Sequence, residues 1–211
     1  MTSEKNIKEN KILIKKISAA RIPTSWGEFV CHVYESTDNG VEHLAFVSGE
    51  INKTDDILVR VHSECITGDI FQSQKCDCGA QLHDAMKRIA DEGGILVYLR
   101  GHEGRGIGIG HKIDAYRLQE QGLDTVQANE ALGLPVDSRE YGIGAEILKD
   151  LGVTSIRLIT NNPTKLFAFE NHGVLVSDRI GIPAYSTPEN ISYLRTKNEK
   201  MGHLIEGLES T

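Results

Sequence analysis

The hydrophobic pattern along the chain changes period several times. Glu28–Tyr34, His43–Val47 and Ile57–His62 are short, rich in β-branched residues and bounded by Gly, Asp or Asn, which predicts three strands. Leu82, Ala85, Met86, Ile89 and Ala90 then recur at helical spacing, with Gly93 as a stop. Gly94–Leu99 is an apolar run that reads as a buried strand. A glycine-rich loop from Gly101 to Gly110 leads into a helix over about Lys112–Gln121. A further helix is expected over Arg139–Leu151, with Ile143, Ile147, Leu148 and Leu151 on one face. Thr154–Thr160 reads as a strand, Pro163 opens a helix that ends near Gly173, and Thr187-Pro188 caps a last helix toward Met201. Strands and helices alternate in the second half. The fold class is therefore α/β, a mixed α+β arrangement with helices flanking a mixed sheet.

Composition narrows the setting. A chain of 211 residues with 39% apolar content can bury a real core, and no repeat or low-complexity linker divides it. One domain over residues 12–211 is expected, with residues 1–11 as a mobile tail. The formal net charge of −7 argues against non-specific nucleic-acid binding, which leans on a basic surface. It leaves room for a phosphorylated small molecule, whose site needs only a local group of Arg, Lys and backbone N–H. Met1–Asn10 holds no apolar stretch, and the sequence has neither a secretory core nor a membrane span. The expected setting is the cytoplasm, where four cysteines read as metal ligands or buried thiols rather than disulfides.

Cys65, Cys76 and Cys78 share the short segment HSECITGDIFQSQKCDCG. Thiolates are strong zinc ligands, and a C-x-C pair can close on one ion with a third Cys upstream. Three ligands with an open position describe a catalytic zinc. A structural site would have a fourth ligand, for which Cys31 or His62 are candidates. Cys31, in an alternating strand, also reads as a core thiol. His62-Ser63-Glu64 matches half of a zinc deaminase signature, but the P-C-x-x-C half is missing, which excludes that reading.

Three other segments carry weaker signals. Gly101–Gly110 matches neither a Walker A loop nor a dinucleotide fingerprint, so it is either a tight turn or a nest for an anion, with Arg105 inside it. Asp137 followed by Glu140 fits a capping-box variant at a helix start. Thr160-Asn161-Asn162-Pro163-Thr164-Lys165 starts a helix whose free N–H groups can meet an anion, and a lysine in the first turn opposes the helix dipole unless an anion is bound.

Six blocks together resemble GTP cyclohydrolase II in order and spacing. They are RVHSEC at Arg60–Cys65, TGD at Thr67–Asp69, CDCG at Cys76–Gly79 followed by Gln81-Leu82, GHEGRGIG at Gly101–Gly108, LGLPVDSREYGIGA at Leu132–Ala145 and TNNPTK at Thr160–Lys165. The likeness runs from about Ile22 to the KMGH at Lys200–His203. Lys75 stands where many relatives carry Arg. The resemblance implies hydrolysis of GTP to formate, pyrophosphate and a diamino-ribosylaminopyrimidinone phosphate, the first step toward riboflavin. It implies one Zn²⁺ on Cys65, Cys76 and Cys78, Mg²⁺ with the phosphates, and a homodimer. Fused relatives carry a dihydroxybutanone phosphate synthase domain ahead of this region. Only a short tail precedes the match here, so that second activity is not expected.

The resemblance also assigns residues. Arg60, Val61, His62, Ser63, Glu64, Gln81, Glu103, Gly104, Arg105, Thr125, Thr160 and Lys165 are implied to bind GTP. Asp137 is implied as a proton acceptor, Arg139 as the group that attacks the α-phosphorus, and Tyr116 as a neighbour of the guanine ring in the second hydrolysis. Chemistry refines two of these roles. A Glu103 carboxylate suits the N1–H and N2–H₂ edge of guanine. A free arginine is a poor nucleophile, its pKa being above about 12, so Arg139 is as readily a phosphate clamp. Two rival outcomes stand: a zinc-stabilised binding module with four ligands and no turnover, and a variant that stops at the formylamino product.

Overall fold

The computed structural model describes residues 14–51 and 56–208. The expected tail, residues 1–11, lies outside the described residues. Seven strands form one mixed sheet: β1 (Ile14–Pro23), β2 (Glu28–Ser36), β3 (Glu42–Ser48), β4 (Ile57–Ser63), β5 (Gly94–Leu99), β6 (Ser155–Ile159) and β7 (Leu175–Ile180), in the order β1-β2-β3-β5-β4-β6-β7. The first four in that order pair antiparallel, and β5-β4-β6-β7 pair parallel. The helices are α1 (Ile66–Asp69), α2 (Cys78–Glu92), α3 (Gly108–Gln119), α4 (Thr125–Ala131), α5 (Gly142–Asp150), α6 (Pro163–Asn171) and α7 (Ile191–Met201).

Strand periodicity explains how the sheet is covered. Successive side chains point to opposite faces. Val59 and Val61 on β4, with Ile95, Val97 and Leu99 on β5, join Ile147 and Leu148 of α5 and Phe169 of α6 in one core. Leu58 and Leu96 point the other way and meet Ala85, Met86 and Ile89 of α2. β4 therefore lies buried on both faces, which is why it reads as a continuous apolar run apart from Arg60 and His62. Those two share the α2 face with Leu58, and that parity aims them at the site described below.

The mixed α/β architecture matches the sequence expectation. The differences sit where local pattern is weakest. β1, exposed along almost its whole length, is an edge strand with no face to bury, so it has no apolar alternation to detect. β7 is the opposite edge and escaped for the same reason. The short α1 and α4 were also unmarked. α3 starts at Gly108, four residues before the expected Lys112. The helix expected from Arg139 starts at Gly142, because Asp137 turns its carboxylate onto Arg139 instead of capping a helix. Thr187 and Asn190 exchange hydrogen bonds in a turn, and α7 begins after it. Among the described residues, no helix is long and apolar enough to cross a membrane.

Candidate active site

The three parallel strands β5, β4 and β6 end side by side, and each runs directly into one of the sequence blocks. β4 delivers Arg60 to Cys65, β5 leads into His102–Gly106, and β6 leads into Thr160–Lys165. Ligand sites of open α/β sheets gather at such carboxyl ends. Here they border one cavity, to which the C-terminal part of the chain adds a further side.

One end of the cavity is sulfur. The Sγ atoms of Cys65 and Cys76 are 3.7 Å apart, and all three thiols of Cys65, Cys76 and Cys78 lie within 4.8 Å of one another. A tetrahedral zinc with bonds of about 2.3 Å places its thiolates about 3.8 Å apart, so the donor set fits this ion. The loop is built for that closeness. A Cβ on Gly68 would lie 2.9 Å from Cys76 Sγ and 3.2 Å from Cys65 Sγ, so only glycine leaves the thiols room. Hydrogen bonds from Cys76 and Cys78, with Lys112 beside them, hold the Cys65 thiol far below its usual range. Cys65 in turn pushes Cys76 up to about 11. Cys65 is thus the thiol that most readily gives up its proton, and metal binding would release protons from the others.

Neither candidate fourth ligand joins the group among the described residues. Cys31 is a buried thiol on β2. His62 points its Nε2 at Asp69, 3.0 Å away. Asp69 also accepts from Tyr98 Oη (2.8 Å) and from the Cys65 backbone N–H (3.0 Å). This buried carboxylate therefore ties β4 and β5 to Cys65, the first of the three clustered thiols.

Lys112, unassigned by the sequence reading, stands beside the sulfurs. Its Nζ donates to Cys65 Sγ (3.1 Å), Thr67 Oγ1 (2.7 Å) and Glu103 Oε1 (2.6 Å). Glu103, expected to read guanine, is buried behind the wall. Its other oxygen accepts the Ile66 N–H at 2.6 Å. Both carboxylate oxygens are thus engaged by the protein. Tyr116 does reach the cavity, its ring 5.3 Å from Lys75 Nζ and 5.7 Å from Lys112 Nζ. Burial pushes its phenol above the usual range in spite of Lys112.

The other end is cationic. Arg105 holds a left-handed φ of 66°, between Gly104 and Gly106, which also have positive φ. Such a conformation strains a non-glycine residue by about 1–2 kcal/mol. Ser138 secures the strained turn by donating its N–H and its hydroxyl to the Arg105 carbonyl, both at 3.1 Å. The guanidinium nitrogens Nη1 and Nη2 of Arg105 are buried without a hydrogen-bond partner. Lys165 is buried as well and, among the described residues, its Nζ donates to the Val61 carbonyl alone (2.8 Å). Burial, with Arg60 and Arg139 adding to it, pushes the Lys165 ammonium well below its usual range. Among the described residues, a buried guanidinium with unpartnered nitrogens, beside a lysine whose ammonium form lacks a close carboxylate, marks a place prepared for an anion.

Arg139 is held by Asp137 through Nε to Oδ1 (2.8 Å) and Nη2 to Oδ2. Burial works against both charges. The pairing overrides it, raising the Arg139 guanidinium and lowering the Asp137 carboxyl. Gln81 sits in a relay, accepting from Arg60 Nη2 (2.8 Å) and donating to Asp77 (2.5 Å). Ser63, Glu64, Gly104, Thr125 and Thr160 border the cavity, whereas Val61 contributes its carbonyl from within β4. His102, Asn129 and Asn161 border it too; His102 and Asn161 lie inside motifs but carried no separate signal, and Asn129, on α4, lies ahead of the Leu132–Ala145 block with none.

The comparisons agree with this geometry. The chain is 58% identical over 193 residues to the bifunctional riboflavin biosynthesis protein RIBA 1 of Arabidopsis thaliana, covering 91% of this chain and 36% of that protein. It is 57% identical over 195 residues to the riboflavin biosynthesis protein RibBA of Chlamydia trachomatis, covering 92% of this chain and 46% of that protein. The chain thus spans less than half the length of these curated relatives. A solved two-domain 3,4-dihydroxy-2-butanone 4-phosphate synthase from A. baumannii is 23% identical, with a TM-score of 0.47 over 83% of this chain and 42% of that one, a level that carries no argument. The family description "GTP cyclohydrolase II" matches residues 15–181, most of the chain. With the three clustered thiols and five of the six sequence blocks at one cavity, the chain belongs to the GTP cyclohydrolase II family.

Proposed function

We propose that the protein hydrolyses GTP to formate, pyrophosphate and 2,5-diamino-6-ribosylamino-4(3H)-pyrimidinone 5′-phosphate, the entry to riboflavin biosynthesis. One observation carries the reading. A single cavity holds a zinc-competent thiol group and, in Arg105, a buried guanidinium whose outer nitrogens have no partner among the described residues, together with Lys165 and Arg139. A nucleotide offers the matching pair, a base to be opened and a phosphate chain to be held.

Zinc on Cys65, Cys76 and Cys78 would supply the Lewis acid that activates water for attack on C8 of guanine. Mg²⁺ belongs with the phosphates, whose oxygens suit it. The chain's own residues do the rest. Arg105, Lys165 and Arg139 hold the phosphates, and Thr160 and Thr125 sit beside them on the cavity wall. Their stabilising effect is largest where negative charge develops as pyrophosphate leaves. The ion pair with Asp137 keeps Arg139 protonated, which favours a clamp over a nucleophile attacking phosphorus. Tyr116, protonated by its surroundings, serves as an O–H donor beside the formamide in the second hydrolysis. Glu103 acts through Lys112, which it holds against Cys65. Arg60, His62, Ser63, Glu64, Gln81 and Gly104 complete the substrate side, with Val61 giving its carbonyl to Lys165.

A homodimer in a reducing, cytoplasmic setting belongs to the same reading. Exposed Ile70 and Phe71 after α1, and Ile109 and Ile113 on α3, offer apolar surface for a second copy. The test is incubation with GTP, Zn²⁺ and Mg²⁺ while formate and pyrophosphate are followed together. Both products in equal amounts support the proposal. Bound GTP without products would favour the binding module, and a formylamino product without formate would favour the truncated reaction.

A further inference from the structure

The family match ends at residue 181, yet the cavity has a side built entirely from later residues. α7 is fixed to the metal loop by Lys197 Nζ, which donates to Asp77 Oδ1 at 3.0 Å, between two of the metal-binding cysteines. Lys200 pairs with Asp124 at the start of α4. The helix then ends on Gly202, whose φ of 66° is the left-handed cap that glycine accepts without strain. The chain turns there. His203 N–H bonds back to the Lys197 carbonyl (3.1 Å), and Leu204 N–H bonds to the Asn161 carbonyl (2.8 Å). The turn is thereby pinned to the loop that ends β6, and Ile205 is buried behind it.

This anchoring aims two rings at the cationic end. Tyr193 lies between charges, 5.8 Å from the Arg105 guanidinium and 4.4 Å from Lys197 Nζ. His203 borders the cavity directly, in the field of Lys197, Arg139, Lys165 and Arg105. Its ring has no hydrogen-bond partner among the described residues. Burial and those cations push the imidazole down to about 3, so the ring is neutral and has one N–H to donate. His203 and Arg105, whose outer nitrogens have no partner among the described residues, line the same cavity.

We propose that His203 is a substrate-binding residue that donates its ring N–H to the phosphate chain, and that α7 with its glycine turn exists in this fold to bring it there. The inference rests on the GTP reading above, and deepens it by adding a phosphate ligand from the KMGH block, beyond residue 181 where the family description ends. The zinc-loaded full chain is titrated calorimetrically with two probes, inorganic tripolyphosphate and guanosine. His203→Ala should weaken tripolyphosphate about tenfold, the size of one hydrogen bond to a charged group. It should leave guanosine binding and the melting temperature unchanged. His203→Gln keeps an N–H donor and should recover most of the loss. The proposal is overturned if the wild-type chain does not bind tripolyphosphate, if His203→Ala binds it as the wild type does, or if guanosine weakens equally. The Gln variant, compared with the wild type, decides the matter should the Ala variant melt early. Failure of the wild-type chain to release formate from GTP would sink the functional reading alone, since the tripolyphosphate comparison needs no turnover.

Discussion

Replacing Lys112 by Met tests what Glu103 is for. The two side chains are about nine-tenths buried, and their charged atoms are 2.6 Å apart. Removing one member of a buried ion pair costs about 3–5 kcal/mol, because the other charge is left uncompensated. Glu103 would keep the Ile66 and Gly104 N–H groups, at 2.6 and 3.2 Å, so the lower end applies, about 3 kcal/mol. At about 2–4 °C per kcal/mol for a chain of this size, the melting temperature should fall by about 6–12 °C. Lys112→Met combined with Glu103→Gln removes both charges and should regain a substantial part of that loss. Thermal melts of the zinc-loaded wild type, both single variants and the double variant form the required cycle. A Lys112→Met variant less than about 1 kcal/mol weaker, or a double variant no better than it, would refute the pairing. Glu103 would then be free for the edge of guanine, as the family resemblance implied.

Three further outcomes follow from the geometry. Cys76→Ser should reduce zinc from about one per chain and abolish formate release, while pyrophosphate release persists through Arg139 and Lys165; metal analysis and separate product assays check this, and joint loss of both products would show the steps to be coupled. Tyr116→Phe should still consume GTP but accumulate the formamide, since acid–base help is typically worth about 10²–10⁴-fold, and chromatography reads it directly. Burial and the Arg100 charge push His43 down to about 4 from 6.5, so the folded chain resists a proton that the unfolded chain accepts. Its stabilising effect is complete above about pH 6.5 and is lost as pH falls toward 4, by about 2 kcal/mol at pH 5; His43→Gln should flatten that part of the melting profile, and an unchanged slope would refute it.

The division between sequence and tertiary structure follows from the range of the forces. Helical spacing in Leu82–Ala90 and the apolar run Gly94–Leu99 are local patterns, and α2 and β5 appear where they were expected. The thiol triad was legible for a related reason, since Cys65, Cys76 and Cys78 lie close along the chain and one turn can gather them. Pairings across the fold had no such trace. That β5 inserts between β3 and β4 depends on which strands bury each other's faces, not on any one strand. Glu103 was expected at the guanine edge, whereas folding places Lys112 against it, nine residues along the chain and on another element. Gln81 became a link between Arg60 and Asp77 in the same way. Of the side formed by Tyr193, Lys197 and His203, the sequence marked only the KMGH at Lys200–His203 and gave it no role, because the partners lie 120 residues away at Asp77 and across the loop at Asn161. A residue's neighbours along the chain determine its backbone conformation and its face. What it touches is decided by packing, and in this protein packing sorts the polar residues into those that hold the site and those that meet the ligand.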